Sequence, residues 1–175
     1  MSSKFNTRKL VLAAMFLALA LLLPFLTGQL QSLGNALSPM HIPVLLCGFF
    51  CGPIYGLAVG FIAPLLRFVL FGMPPIMPIG IAMSFELATY GLVSALLYRT
   101  FGKKPWSVYV SLIGAMIAGR IVWGAARYIL AGLSGSEFGF QAFLAGAVLN
   151  AVPGIILHIV LIPIIVLALK RYTED

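Results

Sequence analysis

The chain has 175 residues, 62% of them hydrophobic and only 9% charged, with a mean hydropathy of +1.10. Soluble domains sit nearer about 45–50% apolar, so composition excludes a soluble globular protein and points to an integral membrane protein. The net charge of +7 excludes a nucleic-acid binder, because the Lys and Arg residues lie at the ends of apolar runs or inside them and form no basic face. No stretch is polar enough for a second, soluble domain, so residues 1–175 are expected to form a single transmembrane domain.

Crossing a bilayer takes about 20 apolar residues, and about six segments qualify. Lys4, Arg8 and Lys9 precede the first run, Leu10 to about Thr27. This beginning looks like a signal peptide, but no small-x-small cleavage site follows, and a retained first helix is expected. A polar connection, 28–40, leads to a second segment from His41 to Gly52–Pro53, roughly half a normal span. It is expected to be tilted, broken or wrapped in protein. The third runs from Ile54 to Phe71, and Met73-Pro-Pro-Ile-Met-Pro78 breaks the chain after it. The fourth covers Ile79 to about Tyr98 and the fifth Ser107 to Leu133. The sixth extends from near Phe143 to Leu169, interrupted by Pro153 and Pro163.

Charge then sets orientation. Lys and Arg clusters precede span one, follow span four (Arg99, Lys103, Lys104) and follow span six (Lys170, Arg171), while 28–40, 73–78 and 134–140 carry none. Positive loops face the cytoplasm. The sequence therefore predicts an all-α bundle of six transmembrane helices with both termini cytoplasmic. Gly48, Gly52, Gly56 and Gly60 recur every four residues, a spacing that predicts close helix packing. Cys47 and Cys51 share one helix face and read as small buried hydrophobes. No metal site is expected, since His41 alone cannot complete one.

Five ionisable side chains lie inside these spans: Arg67, Glu86, Arg120, Arg127 and His158. Each costs about 2.5–3.5 kcal/mol to insert, so such residues mark a polar site by default. Arg67 ends an outward span, Glu86 begins an inward one, Arg127 is late in span five with Arg120 nearer its middle, and Asn150 is early in span six. All point to one level beneath the outer surface. Arg120, Trp123 and Arg127 share one stripe at spacings of three and four, as do Glu86 and Tyr90. Two guanidiniums around an indole suit an anionic or planar small molecule. Simpler readings also exist. Arg67 and Glu86 neutralise each other, Arg120 bonds backbone carbonyls, Arg127 and Trp123 anchor at the interface, or His158 is a satisfied core histidine. There is no phosphate loop, no H-E-x-x-H, no G-x-S-x-G and no nucleophile beside a base, so no enzyme, no catalytic residue and no cofactor are expected.

Particular segments carry a resemblance. They are Arg8-Lys-Leu-Val-Leu-Ala-Ala-Met-Phe-Leu-Ala18, Met40-His-Ile-Pro-Val-Leu-Leu-Cys-Gly48, Pro64-Leu-Leu-Arg67 and Asn150-Ala-Val-Pro-Gly154. With the span count and terminal charges, the chain resembles the substrate-binding S components of the energy-coupling factor (ECF) vitamin transporters of bacterial cell membranes. The resemblance implies that Ala14 and Ala18 on the first helix dock on a membrane coupling subunit, and that two ATPase subunits complete the transporter. It also implies that the 28–40 loop covers the ligand and that the component topples in the bilayer to release it. The expected ligand contacts are Asn35, Glu86, Tyr90, Arg120, Trp123, Arg127 and Asn150. The sequence looks closest to the predicted pantothenate group, with riboflavin, folate and pyridoxine- or pyrimidine-type vitamins as alternatives. Rival readings are a self-sufficient proton-coupled carrier using Glu86 or His158, and a membrane assembly subunit that transports nothing.

Overall fold

The computed structural model describes residues 7–27, 37–102, 104–134, 139–147 and 151–173, and among them every regular element is helical. The helices are α1 (Thr7–Leu22), α2 (His41–Cys51), α3 (Pro53–Phe71), α4 (Ile81–Thr100), α5 (Pro105–Ser134), α6 (Phe140–Ala147) and α7 (Val152–Thr173). Five segments among the described residues are long and apolar enough to cross a membrane: Thr7–Phe25, Pro53–Phe71, Ile76–Thr100, Pro105–Leu133 and Val152–Leu169. At 1.5 Å per residue, α2 is only about 16 Å long, and all of its residues but Phe50 are buried.

Local chemistry sets the breaks. Pro24 lacks an N–H, and α1 tightens there into a 3₁₀ turn, Leu23–Thr27. Gly52, at φ 99°, turns the chain between α2 and α3, and Pro53 opens α3 in the first-turn position that proline favours. Gly72, at φ 71°, ends α3 with its N–H on the Phe68 carbonyl. The proline-rich stretch then passes through a wide turn, Ile76–Gly80, into α4. The sixth expected span is divided into α6 and α7. Pro153 lies in the first turn of α7 and does not interrupt it, whereas Pro163 lies within the helix.

α4 is the central helix, packed against α2, α3 and α5. The glycine period serves these contacts. A Cβ at Gly56 would fall 2.5 Å from the Gly91 carbonyl oxygen, one at Gly60 2.3 Å from that of Leu87, and one at Gly91 2.2 Å from that of Gly56. Backbones therefore touch backbones along the α3–α4 crossing, as small-residue interfaces in membranes allow. Register follows from the neighbours. His41 lies beside Tyr90, Gly48 beside Gly91, Phe49 beside Tyr98 and Gly52 beside Arg99, so α2 and α4 run parallel. α3 and α5 run antiparallel to them, with Gly60 at Leu87, Gly114 at Leu97 and Gly119 at Tyr90. Large apolar side chains such as Val69, Ile117, Tyr128 and Ile156 are exposed on the bundle's outside, where hydrocarbon is the natural neighbour.

Candidate ligand-binding site

Glu86 is the centre of a buried polar cluster assembled from four helices. It lies in the second turn of α4 and is 1% exposed. Arg120 of α5 brings Nη1 to 3.0 Å from its Oε1. Tyr90, one turn further along α4, donates its hydroxyl to the same oxygen at 3.1 Å. His41, in the first turn of α2, holds Nε2 at 3.7 Å, beyond hydrogen-bond length. Its ring leans on Tyr90, centroids 5.2 Å apart, and stacks on His158 of α7 at 5.9 Å and 22°. A buried carboxylate is tolerable only when paired and hydrogen-bonded, and here an arginine and a phenol supply that.

The cluster continues along α5. Both guanidinium carbons, of Arg120 and of Arg127, lie 5.9 Å from the Trp123 ring centroid, a cation–π arrangement on an indole. Trp123 in turn meets Phe143 of α6, centroids 6.3 Å apart. Glycines seat these rings. A Cβ at Gly119 would lie 2.0 Å from the Tyr90 ring, one at Gly124 2.3 Å from Phe143 and one at Gly146 2.7 Å from Trp123. The aromatic groups lie directly on helix backbone, and a methyl at any of these positions would displace them.

Glu86, Tyr90, Arg120, Trp123 and Arg127 form one connected group. Asn35 and Asn150 lie outside the described residues. Arg67 does not pair with Glu86. It is 5% exposed, donates to the Leu21 carbonyl near the end of α1 and lies beside the edge-on Phe25–Phe71 pair, 5.0 and 5.4 Å from their centroids. Pro24 helps to explain that choice, because a helix ending at a proline leaves carbonyls without intrahelical donors. Glu86 meanwhile takes Arg120, so among the described residues Arg120 bonds a carboxylate and not the backbone carbonyl considered from sequence. His158 is not remote from the others, since it stacks on His41. His41 was overlooked as a member of the site. Its signal was an imidazole opening an apolar helix that is too short to span.

Ala14 and Ala18 are exposed on α1, on the face that also carries Leu10, Met15 and Leu22, while Ala13, Phe16 and Ala20 turn inward. A groove of about 540 Å³ opens beside them, lined by Val11, Met15 and Phe16 with Phe50 of α2 and Leu169 of α7. Cys47 and Cys51 are buried free thiols. The arrangement around Glu86 offers cations, ring faces and imidazole nitrogens, the equipment for holding a small polar molecule.

A family model described as ECF transporter, substrate-specific component, matches residues 8–166. The chain belongs to that family. No curated protein and no solved structure matches the chain.

Proposed function

We propose that this substrate-specific component is a high-affinity membrane receptor for a small, water-soluble vitamin with an anionic or polar end, pantothenate being the first candidate. One observation carries the reading: two arginines flank a tryptophan on α5, beside a buried Glu86–Tyr90 pair on α4. A guanidinium receives a carboxylate through paired hydrogen bonds, and an indole packs on the rest of the molecule. Glu86 acts mainly on Arg120, holding it in place, so that Arg127 and Trp123 meet the ligand most directly. Asn35 and Asn150 complete the contacts in this reading. Riboflavin, folate and pyridoxine- or pyrimidine-type vitamins are the alternatives, since the same rings suit a planar ligand.

Residues 1–175 act as one domain that crosses a bacterial plasma membrane six times, with α2 taken as a short crossing and both termini cytoplasmic. The antiparallel register of α3 and α5 against α2 and α4 supports this, as does the placing of Arg8, Lys9, Arg99 and Lys104 at one end. Ala14 and Ala18 meet the coupling subunit, for which the exposed α1 face and its groove leave room. Two ATPase subunits then drive release of the vitamin inside the cell. Mass spectrometry of whatever copurifies with the chain, followed by calorimetry with that compound, tests the receptor role. Failure to bind any water-soluble vitamin would refute it.

A further inference from the structure

The two imidazoles come from separate helices and are buried almost completely, His41 at 4% exposure and His158 at 3%. Among the described residues, His41 Nδ1 and Nε2 and His158 Nε2 have no hydrogen-bond partner. Each unsatisfied buried polar atom costs on the order of 1–3 kcal/mol. An apolar residue at either position would avoid that cost, so packing alone does not account for the pair. Both rings are held in position. His41 is set against Glu86 and Tyr90, and the His158 ring hydrogen-bonds the backbone of Ser38, just ahead of α2. Glu86 is already engaged at its Oε1, where Arg120 and Tyr90 converge.

We propose that His41 and His158 form a second recognition point, reading a hydroxyl or amide at the end of the ligand opposite to the one held by Arg127. The assignment rests on the receptor reading above and narrows its ligand class. Geometry gives the length. His41 stacks on His158 and adjoins Glu86, Glu86 adjoins Arg120, and Arg127 lies two helical turns further along α5, about 10 Å at 1.5 Å per residue. Trp123 occupies the stretch between. The ligand is therefore an elongated acid about as long as those two turns. Its carboxylate lies at Arg127, its middle on the indole, and its hydroxyl or amide between the imidazoles. A hydroxyl suits that end because it donates to one ring nitrogen while accepting from another, and the pair presents both nitrogens of His41 and Nε2 of His158.

The test uses the full chain in nanodiscs and calorimetry with four probes: pantothenate, its alcohol analogue without the carboxylate, its dideoxy analogue without the hydroxyls, and riboflavin. Wild type binds pantothenate at least about tenfold more tightly than the dideoxy analogue, the size expected of a hydrogen bond to a buried group. His158→Phe and His41→Phe lose that preference, binding both compounds with the affinity wild type has for the dideoxy form. Arg127→Gln instead loses the preference for pantothenate over the alcohol. Equal losses for pantothenate and its dideoxy analogue in the His variants would assign the imidazoles to structure and overturn the proposal. So would wild-type indifference to the hydroxyls, a measurement that stands even where a variant fails to fold. Riboflavin binding with no pantothenate binding would overturn the elongated-acid assignment and leave the receptor reading intact. Binding of no vitamin at all would remove both.

Discussion

Glu86 sets the energetics at the scale of single residues. Its burial is offset by Arg120 at 3.0 Å and Tyr90 at 3.1 Å, and removing one member leaves another charge unpaired in a low-dielectric interior. Glu86→Gln is expected to cost about 3–5 kcal/mol, visible as a clear fall in melting temperature in detergent. Adding Arg120→Gln should recover part of the loss, because the second change removes the orphaned cation. An unchanged melting temperature in the single variant would contradict the pairing. Arg127→Ala should weaken vitamin binding while sparing the fold, and unchanged affinity in titration would remove Arg127 from the site. Gly119→Ala pushes a methyl into the Tyr90 ring. Overpacking of this kind costs about 1–3 kcal/mol, and weaker vitamin binding should accompany it as Tyr90 and Glu86 shift. The charged members of the site were legible in the sequence because charge inside an apolar run is expensive. Their partners were less so. Arg67 chose a backbone carbonyl, which leaves no mark in a sequence. Gly119, Gly124 and Gly146 were not noticed, because glycine is common in transmembrane helices.

At the scale of helices, the α3–α4 crossing depends on carbonyl oxygens that approach where side chains would be. Gly91→Val should separate the two helices and lower the melting temperature, while the same change at Gly132, where a Cβ meets nothing within 4 Å, should be close to neutral. Equal melting temperatures for the two variants would show that the crossing tolerates side chains. The four-residue glycine period announced a close contact, but its partner Gly91 stands alone in the sequence and could not be named from it. α2 was legible as half a span because His41 and Gly52–Pro53 bound it. The break before α7 was legible at Pro153, which stands in its first turn, whereas Pro163 lies within the helix and ends nothing. On α1, Ala14→Trp places an indole on the face proposed to meet the coupling subunit. Vitamin binding by the isolated chain should persist while uptake by the reconstituted transporter fails, and normal uptake would refute that role for the face.

For the whole molecule, composition gave the membrane class, with 62% hydrophobic residues, and the length of the apolar runs gave its helices, since a barrel strand needs only about 9–11 residues. Liposomes containing only this chain should bind vitamin and accumulate none, whereas adding the coupling and ATPase subunits with ATP should produce uptake. Accumulation by the chain alone, abolished by an uncoupler, would favour a proton-coupled carrier built on Glu86 or His158. Orientation was legible only as a bias of Lys and Arg, and labelling of cysteines placed at residues 4 and 172 from the outside should fail if both termini face the cytoplasm. The brevity of α2 bears on how the chain is made. A segment of 11 residues, enclosed by α1 and by the later-synthesised α3 and α4, has too little greasy surface to partition from the translocon unaided. Biogenesis must then stall at a half-inserted stage until α3 and α4 emerge from the ribosome. Nascent chains halted before α4 should leave Cys47 open to a water-soluble maleimide, and longer ones should shield it.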